Sequence, residues 1–351
     1  MLKKTIRRLG ALAMVLAMAV SVFAVNASAV DGEQKPTTVS SITINKTVTS
    51  TNETYANGET FNSTITPAEP AEGSNMYKGI EGGVDATANI TISKGENDTA
   101  STTHTGSATV SLHAGAFVVD GKPAPGIYRY EIKETAGSNG DMMYDNSTKY
   151  LDVYVNSEGQ IFAAVIEGKG TDKSAADFNN TITTKQLTIK KQVTGALGNK
   201  TKDFSFKVKI DANADGEIYK IVKKVGDSET VLTDVTAGQD YSFTLKDGES
   251  VVIYGLSKSD KFTVVETDAG QDGYLTSYAL DNTAVNEVKE VSMANGTGAD
   301  AVAADKAVTV TNDKDTTTPG GVIMTIAPYA LMVVLAGAFA VVFLTRRNRA
   351  E

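Results

Sequence analysis

The sequence predicts an all-β protein built from two tandem β-sandwich domains, and three observations support this fold class. Short runs rich in Thr, Val, Ile and Tyr carry apolar side chains at every second position, which is the period of a strand with one buried face. Polar turns rich in Gly and Asn separate these runs. The pattern of the first half of the chain recurs in the second half, which indicates a duplicated domain.

The repeat assigns domain one to residues 38–182 and domain two to residues 183–314. The matched segments are, in chain order, 42–48 and 187–193, 61–65 and 204–208, 110–115 and 243–248, 128–134 and 262–266, and 178–180 and 308–312. In each segment the apolar positions alternate, so they share one face of a strand. Because few residues separate the two predicted domains, we expect a short joint between them.

The N-terminus predicts an export signal. Residues 1–29 begin with four basic side chains, continue with an apolar run from Leu9 to Val25, and end in Ala27-Ser28-Ala29. This order is typical of a secretory signal peptide, here expected to be cleaved after Ala29. Residues 30–37 are then expected to form a disordered leader.

The C-terminal segment, residues 315–351, predicts retention at a membrane. A mostly apolar run of 23 residues, 322–344, is long enough to span a bilayer, and a basic tail with Arg346, Arg347 and Arg349 follows it. Positive charges of this kind stay on the cytoplasmic side, so the residues before the run are expected outside the cell.

The composition excludes several classes of function. The formal net charge is −9 although both ends are basic, so the predicted domains are more acidic than the whole chain. An acidic surface repels phosphates, which argues against a nucleic-acid partner. The chain has no cysteine and only two histidines, His104 and His113, neither of them in a nucleophile motif. We therefore expect no disulfide, no metal site and no cofactor.

Three polar residues recur in both predicted domains at positions that should be buried. The first set is Lys46, Glu134 and Asn180, and the second set is Lys191, Glu266 and Asn312. The glutamate precedes the asparagine by 46 residues in both sets. Each side chain is in phase with the apolar positions of its strand, where an unpaired charge is costly. The members of a set should therefore meet, either as an ion pair beside an ordinary asparagine or as a covalent crosslink.

Polar residues close to the triplets in the sequence are weaker candidates for the buried positions, because their side chains fall on the opposite face of their strands. Glu131 is out of phase with the apolar face of its strand, and so are Lys190 and Asn179. Side chains alternate between the two faces of a strand, so a residue one or three positions away from a triplet residue points to the opposite face.

The segments that carry the triplets resemble those of sortase-assembled backbone pilins of Gram-positive bacteria. Tyr130-x-Ile132-x-Glu134 and Phe262-x-Val264-x-Glu266 are similar to the E-box of that family, and Gly273-Tyr274 follows the second. The resemblance covers nearly all of the chain between the two terminal signals. It implies that domain one is a backbone-pilin domain and that domain two is CnaB-like, both with an Ig-like β-sandwich.

The resemblance also implies a reaction. In this family a lysine amine attacks an asparagine side-chain amide, ammonia leaves, and an isopeptide bond remains. Lys46 and Lys191 would then be nucleophiles, Asn180 and Asn312 electrophiles, and Glu134 and Glu266 catalysts. Burial favours the neutral amine and the protonated carboxyl that such a reaction needs. A folded core holds the groups together, so the crosslink forms within the chain without another enzyme.

The C-terminus resembles a cell-wall sorting signal, with Thr318, Pro319, Gly320 and Gly321 as the motif and a threonine in place of the usual leucine. Sortase would cleave there and join the chain to an identical subunit or to peptidoglycan. In such pilins an exposed lysine before the last strand accepts the next subunit, and Lys173 occupies that place, with Lys169 as the alternative. The expected location is the cell surface, secreted and anchored in the wall after transient membrane retention.

Two other functions remain open at this point. The first is a wall-anchored adhesin or ancillary pilin that binds a host or matrix ligand and does not polymerise. The second is a secreted enzyme, for which the sequence offers no recognisable set of catalytic residues. We expect a structural pilus subunit whose only chemistry is its own crosslinking.

Overall fold

The computed structural model describes residues 38–95, 98–167, 175–212, 216–295 and 302–315. Several predicted features lie outside these ranges: the signal peptide 1–29 with Ala27 and Ala29, the leader 30–37, Lys169, Lys173, the motif Thr318, Pro319, Gly320 and Gly321, and the apolar run 322–344. Among the residues that are described, no helix is long and apolar enough to cross a membrane.

The first half of the chain forms a sandwich of two sheets, here called the first sandwich (residues 41–182). Its strands are β1 (Ser41–Thr54), β2 (Asn57–Pro67), β3 (Tyr77–Lys78), β4 (Thr87–Ser93), β5 (Ser101–Ser111), β6 (Val118–Val119), β7 (Lys122–Pro123), β8 (Gly126–Thr135), β9 (Met142–Met143), β10 (Thr148–Val155), β11 (Ile161–Ile166) and β12 (Ala175–Ile182). One sheet has the order β5-β1-β12-β9, and the other has the order β11-β10-β8-β2-β4 with β3 beside β8. Strands β6 and β7 form a separate ribbon.

The second half repeats this plan as the second sandwich (residues 185–313). Its strands are β13 (Lys185–Thr194), β14 (Phe204–Asp211), β15 (Ile218–Val225), β16 (Ser228–Val231), β17 (Val235–Thr236), β18 (Asp240–Leu245), β19 (Ser250–Leu256), β20 (Lys261–Glu266), β21 (Leu275–Leu280), β22 (Thr283–Val285), β23 (Val288–Ser292), β24 (Ala294–Asn295), β25 (Val302–Ala303) and β26 (Lys306–Asp313). One sheet has the order β16-β15-β19-β13-β26-β21-β22 with β17 beside β15, and the other has the order β18-β14-β20-β23. Strands β24 and β25 form a ribbon.

Alternating burial explains why these segments are strands. In β1 the side chains of Ile42, Ile44, Lys46 and Val48 are buried, and the positions between them are more exposed. Period-two burial of this kind places one face of a strand against a core. Each sandwich has one hydrophobic cluster that draws residues from both of its sheets. The predicted all-β, tandem architecture is therefore confirmed.

The chain passes from β12 to β13 through Thr183 and Thr184, and the second of these residues is tied to the end of β1. The Thr184 backbone N–H donates to Thr51 Oγ1 at 2.9 Å, and Thr51 Oγ1 donates to the Thr184 carbonyl oxygen at 2.7 Å. The Asn52 side-chain amide donates to the same carbonyl oxygen at 2.9 Å. Side chains of β1 therefore satisfy the buried backbone N–H and C=O of Thr184, which lies between the two strands.

A buried ion pair lies in the first sandwich, away from the triplet. Arg129 on β8 donates through Nε and Nη2 to the two carboxylate oxygens of Asp152 on β10, both at 2.8 Å. The two residues face each other directly in the register of the sheet, and both are buried. Glu167 adds a third charge 3.1 Å from the guanidinium. A bidentate pair of this geometry offsets the cost of taking both charges out of water.

Replacing Asp152 with alanine should lower the unfolding free energy of the first sandwich by about 3 kcal/mol, because the guanidinium then loses its bidentate partner in a buried site. Chemical denaturation followed by tyrosine fluorescence measures this change. The matched control is Glu131→Ala on the same strand β8, since Glu131 forms a more exposed pair with Lys133. That control should cost less than about 1 kcal/mol. Equal losses of unfolding free energy in the two variants would contradict the view that the buried Arg129–Asp152 pair stabilises the first sandwich more than the exposed pair does.

Candidate functional site

The first triplet meets inside the first sandwich. Lys46 is 1% exposed and its Nζ lies 2.5 Å from Glu134 Oε2. The other oxygen of the same carboxyl, Oε1, accepts a hydrogen bond from Asn180 Nδ2 at 2.7 Å. Asn180 is 0% exposed. One carboxyl group therefore bridges the amine and the carboxamide in an interior that excludes water.

The second triplet has the same arrangement. Lys191 Nζ lies 2.7 Å from Glu266 Oε2, and Asn312 Nδ2 donates to Glu266 Oε1 at 2.5 Å. Both side chains of the ion pair are fully buried, and so is Asn312. The structure thus brings together all three predicted residues in each sandwich.

The register of the first and last strands explains how the lysine and the asparagine approach each other. Strands β1 and β12 are parallel neighbours, and Asn180 pairs with Val48, two residues beyond Lys46. Strands β13 and β26 are parallel neighbours in the same way, and Asn312 pairs with Val193, two residues beyond Lys191. Residues two apart on a strand share a face, so in both sandwiches the amine and the carboxamide point into the same core.

The glutamate comes from the opposite sheet. Glu134 lies on β8 and pairs with Ser63 of β2, and Glu266 lies on β20 and pairs with Phe206 of β14. Neither β8 nor β20 belongs to the sheet that holds the lysine. The carboxyl group must therefore reach across the core, which only a closed sandwich permits.

Burial sets the electrostatics of the amines. Loss of hydration lowers the pKa of Lys46, although the hydrogen bond and charge of Glu134 oppose the shift. The pKa of Lys191 is lowered for the same reason, with Glu266 opposing. Aromatic rings add to the apolar surroundings: Lys46 Nζ lies 4.9 Å from the ring centroid of Phe61, and Lys191 Nζ lies 4.2 Å from that of Phe204. A lowered pKa increases the share of neutral amine, which is the nucleophilic form.

Within the described ranges, the other polar residues considered in the sequence take no part in the hydrogen bonds of either triplet. Lys190 and Asn179 are exposed, next to buried Lys191 and Asn180 in the chain. Glu131 is half-buried and binds Lys133 at 2.8 Å. His104 and His113 contact Thr54 and Asp85, respectively. In the described part of the chain, no group of three or more potential metal ligands occurs.

One contact of the first site was missed by the sequence reasoning. The backbone N–H of Asp145 donates to Asn180 Oδ1 at 2.8 Å. Asp145 lies in the loop between β9 and β10, where its carboxylate also accepts hydrogen bonds from Ser147 N and Oγ. Aspartate is enriched in turns because its side chain can accept the backbone N–H two residues on, as Asp145 does with Ser147. That signal could have identified the turn, but it could not have shown what the turn contacts.

Two family models match the chain, and together they cover both sandwiches. The first is described as a Spy0128-like isopeptide containing domain and matches residues 42–183. The second is described as a domain of unknown function (DUF7601) and matches residues 185–314. The family description of the first model mentions the kind of crosslink that the triplet geometry suggests.

Relatives of known name are pilus proteins. A pilin from Streptococcus pyogenes serotype M1 is 32% identical over 238 residues, which are 64% of this chain and 68% of that protein. The pilus tip adhesin Cpa of Streptococcus pyogenes is 36% identical over 86 residues, which are 24% of this chain and 12% of the adhesin. The solved structure of the major pilin protein T-13 from Streptococcus pyogenes aligns with a TM-score of 0.54 at 26% identity, covering 80% of this chain and 98% of that one.

The structural likeness extends over 98% of the T-13 pilin, and the two family models match residues 42–183 and 185–314 of this chain. The chain therefore belongs to the family of pilins with a Spy0128-like, isopeptide-containing domain, and it is a structural subunit of a pilus.

Proposed function

We propose that each triplet forms a Lys–Asn isopeptide bond and that the crosslinked chain polymerises covalently into a surface pilus. The observation that supports crosslinking most strongly is the carboxyl of Glu134, which contacts Lys46 Nζ and Asn180 Nδ2 at the same time. Glu266 makes the same two contacts in the second sandwich. A buried site with an amine of lowered pKa, a carboxamide and a shared carboxyl has the groups that transamidation needs.

The contacts suggest a route for the protons. Nζ attacks the side-chain carbonyl carbon of the asparagine, and the carboxyl oxygen next to Nζ accepts the proton that the amine loses. The other carboxyl oxygen, next to Nδ2, gives a proton to the departing nitrogen. The C–N bond of the carboxamide breaks and ammonia leaves, so the carboxyl ends in its starting protonation state. One amide bond replaces another, and the glutamate acts as a general acid and base.

The crosslink suits a fibre that carries tension. In each sandwich it joins the first strand to the last, and these strands are parallel neighbours. Pulling on the two ends of a sandwich shears this pair, whose hydrogen bonds contribute only about 1 kcal/mol each. With a covalent bond between the strands, force passes through the bond, and the rest of the sandwich stays folded.

Assembly would follow from the two terminal signals and an acceptor lysine. Sortase would cleave at Thr318–Gly321 and transfer the chain to Lys173, or alternatively Lys169, of an identical subunit, and the last subunit to peptidoglycan. Wall anchoring after transient retention by residues 322–344 would hold the pilus on the cell surface. This part of the proposal rests on the sequence signals and on the pilin relatives, because these residues lie outside the described ranges.

The intact mass of the folded chain should be lower than the sequence mass by two molecules of ammonia. Glu134→Gln should abolish the first loss and keep the second, and Glu266→Gln should do the reverse, because each glutamine lacks the acidic group of one site. Electrospray mass spectrometry of the purified protein measures both. The control is Glu131→Gln, three residues from Glu134 on the same strand, which should keep both losses. A folded, unmodified chain with the full sequence mass would refute crosslinking.

Loss of the first crosslink should make the first sandwich less stable. The bond between residues 46 and 180 would close a loop of more than a hundred residues, so Asn180→Ala should lower the unfolding free energy by about 5 kcal/mol, by analogy with a disulfide. Thermal unfolding by calorimetry measures the shift. The matched control, Asn179→Ala, changes the exposed neighbour and should leave the midpoint nearly unchanged. A midpoint that moves equally in both variants would argue against a bond at Asn180.

Lys173→Arg should abolish the SDS-stable ladder of polymers in a Gram-positive host that expresses the matching sortase, because a guanidinium stays protonated and cannot accept the acyl group. Immunoblots of cell-wall extracts measure the ladder. Lys169→Arg is the control and should keep it. Loss of the ladder only in the Lys169 variant would transfer the acceptor role to that residue. A single wall-bound band from the unmodified chain would favour the adhesin alternative.

A further inference from the structure

The carboxamide of Asn180 is held at both ends, and its orientation is fixed independently of the glutamate. Its Oδ1 accepts the backbone N–H of Asp145 at 2.8 Å, while its Nδ2 faces Glu134 Oε1. A backbone N–H can only donate, so the atom that faces Asp145 must be the oxygen. The nitrogen that would leave as ammonia therefore points to the carboxyl, and the oxygen points to the loop between β9 and β10.

The loop is built to keep this N–H in place. Asp145 Oδ1 accepts hydrogen bonds from the backbone N–H of Ser147 at 2.9 Å and from its hydroxyl at 2.5 Å. Asp145 Oδ2 accepts the backbone N–H of Asn179 at 3.0 Å, which fastens the loop to strand β12 next to Asn180. Burial opposes the charge, yet the hydrogen bonds from Ser147 and Asn179 lower the pKa of Asp145. The carboxylate therefore clamps its own backbone against the reacting residue.

The second site lacks a contact of this kind. Within the described residues, Oδ1 of Asn312 is buried and has no hydrogen-bond donor. The contacts of the glutamates correspond, since each glutamate bridges the amine and the carboxamide nitrogen. The loop contact is thus an addition to the first site and no general requirement of the triplet.

We infer that the backbone N–H of Asp145 is an oxyanion donor that accelerates the first crosslink. When Lys46 Nζ bonds to the carbonyl carbon of Asn180, the electron pair of the C=O bond moves onto Oδ1, which becomes negative. The N–H at 2.8 Å stabilises that charge in a buried site. The C=O bond then reforms, the C–Nδ2 bond breaks, and the nitrogen leaves as ammonia with the proton that Glu134 relays from Nζ. This inference rests on the proposed crosslinking.

The decisive variant replaces the N–H and nothing else. The α-hydroxy analogue of aspartate, incorporated at position 145 of the full chain by cell-free translation, puts an ester oxygen where the N–H was and keeps the carboxylate. The matched control carries the α-hydroxy analogue of asparagine at position 146, an exposed residue in the same loop between β9 and β10. After a translation stop, samples are quenched in acid at intervals, and mass spectrometry of tryptic peptides follows both crosslinks.

We expect the first crosslink to form about 100-fold more slowly in the position-145 ester, the scale reported for loss of one oxyanion donor. The position-146 ester should form the first crosslink at nearly the unmodified rate, because it leaves the N–H of Asp145 and the hydrogen bonds of its carboxylate intact. The rate of the Lys191–Asn312 crosslink in the same molecules should be unchanged, and it serves as the internal reference. A position-145 ester that crosslinks at the unmodified rate would overturn the inference, whereas an unmodified chain without the first crosslink would overturn the proposed function instead.

A second variant covers the case in which the ester chain fails to fold. Asp145→Ala keeps the N–H but removes the carboxylate that holds the loop to Ser147 and Asn179. It should slow the first crosslink at least threefold relative to the second. The same change in a Glu134→Gln chain, which cannot react at this site, reports its effect on stability alone. An unchanged ratio of the two rates in Asp145→Ala would also overturn the inference.

Discussion

A glutamate carboxyl placed between a buried amine and a buried carboxamide is the interaction on which both sandwiches depend. Each of the three groups would be costly to bury alone, and the carboxyl satisfies the other two at once. That solution needs the first and last strands side by side and the glutamate on the facing sheet. The order of strands in each sandwich therefore determines that these three groups meet at its centre.

The first sandwich also contains a buried Arg–Asp ion pair, which differs from the triplet in the kind of cation it holds. Arg129 and Asp152 are joined by two hydrogen bonds at 2.8 Å. A guanidinium keeps its proton under all ordinary conditions, so it offers no lone pair, whereas the amine of a buried lysine loses its proton much more easily. Similar burial thus gives a structural contact in one place and a candidate for bond formation in the other.

The two sandwiches share their central geometry and differ at its edge. In both sandwiches the lysine and the asparagine lie on neighbouring parallel strands, and the asparagine pairs with the residue two positions after the lysine. The loop before β10 adds a backbone donor in the first sandwich, and the corresponding amide oxygen of the second has no donor among the described residues. The two sandwiches therefore share the triplet but differ in a loop beside it, and loops tolerate change better than paired strands do.

The sequence by itself determined the all-β class, the repeat and the six polar residues of the triplets. Alternation with period two assigns a side chain to a face, and it separated Lys191 from Lys190 and Asn180 from Asn179 because neighbouring residues on a strand point in opposite directions. It could not show that β1 and β12 run parallel and adjacent, since strand order depends on contacts between residues far apart in the chain. Only the tertiary structure placed Phe61 beside Lys46 and the N–H of Asp145 on Asn180. Such contacts arise when the two sheets pack together and when a loop folds back onto a strand. Local sequence patterns do not determine how sheets pack or where a loop runs.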